Sequence, residues 1–214
     1  VPSDFKCFTS KLQYFNDPIL ITSECITQGE NLLLPAFMLS DTRQNIQLEA
    51  IAKIRGITST PSVSINTLQL KTSQNLQQFL TKNLRGEEIE LSPYISNAGN
   101  TVTNGDITYN NKTLDANLTT TTQLGAVTLQ GRLTDKERIQ ARISSIKFDL
   151  GQLFYSGKPN DLGNVAFSAE ANGHIHGQDN KPELYFESLI NSLFFRNHEY
   201  KGITLNGTVR GNNC

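Results

Sequence analysis

Two histidines separated by one residue, His174 and His176, form the spacing in this sequence that most suggests a metal site. If the segment is a β-strand, both imidazoles lie on one face, where they could bind zinc or copper. Asp179 and His198 could join them, but the spacing fixes no third ligand. The alternative is that both histidines are simply polar side chains at the solvent-exposed end of a strand. We therefore predict no metal site and no cofactor, with His174 and His176 as weak candidates only.

Carboxylates that could act as a general acid and base are concentrated at Glu87, Glu88 and Glu90. A cluster of this kind in a loop is more typical of a solvated surface than of a catalytic pair, and nothing in the sequence places two carboxylates across a cleft. The chain contains no Gly-x-Ser-x-Gly elbow, no His-Glu-x-x-His motif, no phosphate-binding loop and no dinucleotide fingerprint. We predict that the protein is not an enzyme.

The balance of charges argues against one class of partner. The 214 residues include 19 basic and 20 acidic side chains, so the chain lacks the excess of positive charge that a nucleic-acid-binding protein needs. No apolar run is long enough to span a membrane as a helix. The three cysteines are Cys7, Cys25 and Cys214. Cys7 and Cys25 could pair, or could be small buried apolar residues, so they do not define the redox compartment.

The elements that would position any site are β-strands. Between Thr101 and Ile146, apolar or glycine residues alternate with polar ones, as in Val127–Leu133 and Ile139–Ile143. This period of two is typical of a half-buried sheet, and the intervening segments are short enough to be hairpin turns. In this interpretation Asn104-Gly105 is a turn that precedes a strand at Ile107. The pattern predicts a continuous antiparallel meander with one apolar and one polar face.

The rest of the chain extends this pattern and adds helices. The segment Gln74–Leu84 carries an apolar stripe at helical spacing, and Asp149–Phe154 could form a single helical turn with Asp149 as its cap. We predict an all-β fold, an elongated, curved antiparallel meander that forms a groove or an open sandwich. Residues 1–86 form a first meander ending in the amphipathic helix, and residues 87–214 continue it within one domain. The loop 87–100 is the predicted junction, or seam, between the two meanders. Further strands are predicted over Ile19–Thr27, Leu32–Leu39, Ile46–Ile54, Val63–Leu70, Val165–Ala171, Leu184–Ile190, Leu193–His198 and Ile203–Val209.

The apolar edges of these strands are the candidate binding surface. The interior of a closed β-sandwich would produce the same periodicity, and a groove for acyl chains is the alternative. The side chains are aliphatic and the chain has no Trp, whereas a surface that binds sugars would need aromatic platforms. The composition therefore favours lipid over glycan. The candidate groove residues are Ile107, Leu114, Ala116, Leu118, Val127, Leu129, Ile139, Ala141, Ile143, Val165, Phe167, Ile203 and Leu205; Leu133, Ala169 and Val209 share the same pattern.

Several runs of residues resemble one family. They are Gly105–Tyr109, Leu114–Thr122, Leu124–Gly131, Phe148–Phe154 and Phe194–Gly207, in which an aromatic-flanked segment leads into an Ile-x-Leu-x-Gly strand. They are similar to the TamB/AsmA-like proteins, in particular the long TamB-type proteins of Bacteroidetes-like bacteria. The segments Leu48–Gly56 and Leu68–Leu84 also fit, so the resemblance covers most of the chain.

The resemblance implies an internal fragment of a long protein of Gram-negative bacteria. Such a protein is anchored in the inner membrane at its N-terminus, outside this fragment, and extends through the periplasm as a taco-shaped sheet. It implies a role in outer-membrane biogenesis, with phospholipid acyl chains as partners, or assistance to outer-membrane protein assembly with a TamA/BamA-type partner. It implies no catalytic residues. The alternatives are a closed β-sandwich adhesin or glycan-binding module, and a purely structural spacer whose groove is filled by its own side chains.

Overall fold

The structure is a computed structural model that describes residues 18–74, 93–175 and 183–210. Within them the chain forms one antiparallel sheet of 12 strands, in which each strand from β3 onward pairs with the next along the chain. The strands are β1 (Ile19–Ser23), β2 (Ile26–Gln28), β3 (Asn31–Asp41), β4 (Ile46–Arg55), β5 (Ser62–Thr72), β6 (Thr101–Asn110), β7 (Thr113–Thr122), β8 (Gly125–Thr134), β9 (Arg138–Asp149), β10 (Leu162–His174), β11 (Glu183–Phe195) and β12 (His198–Arg210). Two short helices accompany them, α1 (Pro93–Ala98) and α2 (Leu150–Leu153). The predicted all-β, open and curved meander is confirmed.

The sheet continues across the seam predicted between the two halves of the chain. β5 pairs with β6 in antiparallel register, with Ile65 opposite Ile107, although residues 73–100 separate the two strands in sequence. The predicted helix Gln74–Leu84 lies outside the described residues except for Gln74, which is helical. The described structure therefore does not include the apolar stripe of this predicted helix.

Cross-strand register separates the side chains into two faces. Directly paired residues of antiparallel strands lie on the same side of a sheet. Leu118 is opposite Leu129, which is opposite Ile143, and this row defines the apolar face. The adjacent row, Asn117 opposite Gln130 opposite Arg142, defines the polar face. The alternation seen in the sequence thus becomes two chemically distinct surfaces of one sheet.

No second layer covers this sheet within the described residues. Each strand packs mainly against its neighbours in the sheet, and the most extensive other contacts among the described elements are those of α2 with β10 and with α1. In the described part of the chain the buried hydrophobic residues are limited to Ala50, Leu68, Leu124 and Val165. A closed sandwich would bury many more, so the closed-sandwich architecture is wrong for these residues.

The two helices and the β7–β8 turn close one end of the strands. The side-chain amide of Asn97 in α1 donates hydrogen bonds to the carbonyls of Leu153 and Tyr155, each at 2.9 Å. Asp149 caps α2, as predicted, by accepting a hydrogen bond from the backbone N–H of Gln152 at 2.8 Å. The turn residue Leu124 is only 4% exposed. This end holds much of the fold's small core.

Three predicted boundaries are wrong for identifiable reasons. Asn104-Gly105 is not a turn: β6 runs through it, and Gly105 has φ +152°. The segment Ile19–Thr27 is two strands, because the edge pairing breaks opposite Pro35, which has no N–H to donate. The two segments predicted over Leu184–His198 are one strand, β11, which ends at Phe195 before a turn.

The helix α1 lies in the segment predicted to be a loop. Ser92-Pro93 is a helix-start signal, because proline at the first helical position needs no N–H partner. That signal was present in the sequence, but a helix of 6 residues is too short to show amphipathic periodicity.

Candidate functional site

All the sequence-predicted groove residues lie on the apolar face. The register carries the face from Ile107 on β6 through Ala116, Gly131 and Ala141 to Ala171 on β10. The next row along the strands contains Leu118, Leu129 and Ile143, and Leu205 on β12 joins it through the register of β10 and β11. Register bulges do not break the face, since Val165 pairs with Phe148, and Phe167 pairs with Ser145 and Ile190.

The apolar face extends further than the sequence analysis proposed. In the first half of the chain, Ile54 lies opposite Val63, which lies opposite Tyr109. In the last strands, Leu184 lies opposite Val209 and Ile190 opposite Ile203. The same period of two marks these residues, so the sequence already carried the signal. With 11 strands on the main path, ten spacings of about 4.8 Å give a surface roughly 48 Å long across the strands.

A band of small residues runs across the middle of this surface. Ala116, Gly131, Ala141 and Ala171 lie side by side on four consecutive strands, β7 to β10. Larger side chains form a row on each side of the band. One row contains Leu118, Leu129 and Ile143, and the other contains Leu114, Leu133 and Ile139. The rows lie about 14 Å apart, four residues along a strand, so the band is the floor of a shallow channel.

The channel walls are open to solvent. Leu114, Leu129 and Ile143 are 37%, 38% and 39% exposed, respectively. Side chains in a closed core are almost fully buried, whereas these are covered mainly by their lateral neighbours in the sheet. The face is therefore a continuous, mainly apolar surface that the described residues leave uncovered; aliphatic side chains predominate on β7 to β9, and aromatic rings such as Tyr109, Phe167 and Phe186 lie on the flanking strands.

Two surface pockets, called hollows below, lie on the polar face of the described sheet. The larger has a volume of about 700 Å³ and lies over β6 to β10. It contains two ion pairs, Arg132 Nε to Asp115 Oδ1 at 2.6 Å and Arg142 Nε to Glu170 Oε1 at 3.6 Å. All four side chains are more than 40% exposed, so each pair contributes little stability. Sequence reasoning directed attention to the apolar face and missed these hollows.

The separation of the two faces is not complete. Tyr185 and Leu189 of β11 project on the polar side, 48% and 41% exposed. Ile146 lies where the pairing of β9 with both of its neighbours shifts register, and it is 93% exposed. These residues break the alternation locally but leave the aliphatic rows of the apolar face intact.

The other candidate residues come together only in part. The imidazole Nδ1 of His174 lies 3.5 Å from Glu137 Oε1, while His176 and Asp179 lie outside the described residues. In the segments that the structure describes, no group of three or more His, Cys, Asp or Glu residues could hold a metal ion. Cys25 is an exposed free thiol, and Cys7 lies outside those segments. None of the described helices is long and apolar enough to cross a membrane.

Comparison with known proteins identifies no relative. No protein-family model matches the chain, and neither a curated protein nor a solved structure matches it at a significant level.

Proposed function

We propose that this sheet is a non-catalytic segment that holds phospholipid acyl chains on its apolar face. The observation that supports the proposal is the continuous, mainly apolar surface, which spans the meander and is covered by no second layer among the described residues. An exposed apolar surface of this extent is unusual for a water-soluble sheet unless it has an occupant.

The chemistry of the surface suits an acyl chain. Burial of each methylene contributes about 0.8 kcal/mol, and the rows beside the small-residue band provide aliphatic walls such as Leu129 and Ile143. On β7 to β9 the walls are similar from strand to strand, so the binding free energy changes little across these three strands. An acyl chain could then move across them without meeting a deep trap, while its headgroup stays in water.

The cellular setting in the proposal rests on the resemblance to the TamB/AsmA-like proteins. In that setting the sheet is part of a periplasmic protein of a Gram-negative bacterium, anchored in the inner membrane outside this fragment. Its role there is outer-membrane biogenesis by phospholipid transport. A purely structural spacer would share the fold but would carry no lipid.

A second candidate function, assistance to outer-membrane protein assembly, is favoured by the last strand. β12 is 13 residues long, and no described strand pairs with its outer edge. Such an edge can template the addition of another strand. In this role the full-length protein would work with a TamA/BamA-type partner.

Photo-crosslinking tests the lipid proposal. A photoreactive amino acid placed at Leu129 or Ile143 is expected to form lipid adducts when the protein is made in bacteria. The matched controls are Gln130 and Arg142, which are adjacent to Leu129 and Ile143 in sequence and lie on the polar face. Adducts at the first pair and none at the second are the expected result. Equal labelling of both pairs, or no labelling at all, would contradict the proposal.

A further inference from the structure

The second hollow of the polar face has the chemistry of an anion site. It has a volume of about 540 Å³ and lies over the ends of β4, β5 and β6. Its lining includes two cations, Lys53 and Arg55, and the hydroxyls of Ser62, Ser64 and Thr108. Two amides at the margin, Asn66 and Asn110, add further donors.

The register assembles these groups. Lys53 and Arg55 are two residues apart on β4, so their side chains leave the same face about 7 Å apart. Ser64 lies directly opposite Lys53, and Ser62 lies directly opposite Arg55. Thr108 on β6 is directly opposite Ser64. Two cross-strand pairs, Lys53 with Ser64 and Arg55 with Ser62, therefore each present one cation and one hydroxyl to a ligand in the hollow.

The two cations have no carboxylate partner among the described residues. Every described ion pair involves other side chains. The one carboxylate that lines this hollow, Asp115, is engaged by Arg132 at 2.6 Å. Glu30, near the β4–β5 loop, accepts hydrogen bonds from the hydroxyls of Thr58 and Ser59. Lys53 and Arg55 therefore form no ion pair among the described residues.

We propose that this hollow binds a phosphate group, either as a free anion or as part of a phosphodiester. Arginine presents a fork of donors that matches phosphate oxygens, and lysine adds a compact point charge. The hydroxyls of Ser62 and Thr108 can donate to the remaining oxygens, whereas the Ser64 hydroxyl donates to Asn66 Oδ1 at 3.1 Å. The site lies at the ends of the strands, since Arg55 ends β4, Ser62 begins β5 and Asn110 ends β6. A phosphate there sits at the rim of the sheet, where a lipid headgroup could reach it around the edge.

Titration with inorganic phosphate tests the site without involving the apolar face. In amide NMR spectra, phosphate is expected to shift the signals of Ser62 and Ser64. Replacement of both cations, Lys53→Gln with Arg55→Gln, should weaken binding at least about tenfold, because charged hydrogen bonds are lost. The matched control is Lys71→Gln with Lys147→Gln, two lysines that do not line the hollow. It should bind phosphate as the unmodified protein does. No shift, or equal loss in both double variants, would overturn the proposal.

Vesicles identify the source of the phosphate. The unmodified protein and both double variants are tested for binding to phosphatidylglycerol vesicles. If Lys53→Gln with Arg55→Gln weakens this binding and the control pair does not, the phosphate that the site binds belongs to a lipid headgroup. If the protein binds phosphate but the two double variants bind the vesicles equally, the ligand of the site is a free phosphate anion. If phosphate binds but the crosslinks at Leu129 and Ile143 are absent, the anion site stands and the acyl-chain proposal fails, so the two proposals are separable.

Discussion

Replacement of Ile143 by aspartate is expected to lower lipid binding by more than about tenfold, because the carboxylate would have to be desolvated against an acyl chain. Its cross-strand neighbours on the apolar face are Leu129 and Ala169. The same change should cost only about 2 kcal/mol of the free energy of unfolding, because the side chain is already 39% exposed and the new charge can reach water. Lipid loading by native mass spectrometry and unfolding in urea measure the two effects.

A buried residue of the same face provides the control. Val165 is 5% exposed and lies on β10, which packs against α2. Val165→Asp should cost about 4 kcal/mol or more of unfolding free energy, because the charge has no route to solvent. If Ile143→Asp proves as costly as Val165→Asp, another layer covers the face and the open-channel account is wrong.

Replacement of Gly105 by alanine is expected to destabilise the sheet by about 3 kcal/mol. Gly105 has φ +152°, a conformation that L-residues rarely adopt, and a Cβ there would lie 2.0 Å from the carbonyl oxygen of Asn117 on β7. Since that atom belongs to the backbone of the neighbouring strand, the β6–β7 pairing itself would have to shift. Chemical denaturation of the purified variant measures the loss.

Gly131 is the matched control for this prediction. It lies on the apolar face of β8, and a Cβ there would have no atom within 4 Å. Gly131→Ala should leave the unfolding free energy within about 0.5 kcal/mol of the original value, or raise it slightly, because alanine reduces the entropy of the unfolded chain. A loss at Gly105 no larger than the change at Gly131 would contradict the strand geometry described for β6.

Period-two alternation made the sheet and its two faces predictable. The register confirms that Leu129 and Ile143 share a face, and it adds the rows of the first half of the chain, such as Ile54 with Val63. The helical turn after Asp149 was predictable because a capping side chain marks it. These features depend on local residue types, so the sequence carries them directly.

Other features depend on contacts between strands and could not be predicted from local patterns. Asn-Gly usually marks a turn, but Asn104-Gly105 lies within a strand because Gly105 permits close approach to β7. The turn at Asn111-Lys112 was predicted, whereas the turn at Arg196-Asn197 lies in a segment predicted to be a strand as far as His198; non-glycine residues adopt positive φ values in both turns. The second hollow of the polar face depends on the pairing of Lys53 with Ser64 and of Arg55 with Ser62, residues brought together only by the register of β4 and β5.

Native mass spectrometry of the protein purified from bacteria without delipidation tests the central claim most directly. The account predicts a population whose added mass equals that of one or more phospholipids, and predicts that this population disappears with Ile143→Asp while the variant remains folded by circular dichroism. A folded protein found only at its unliganded mass would contradict the claim that the apolar face carries acyl chains.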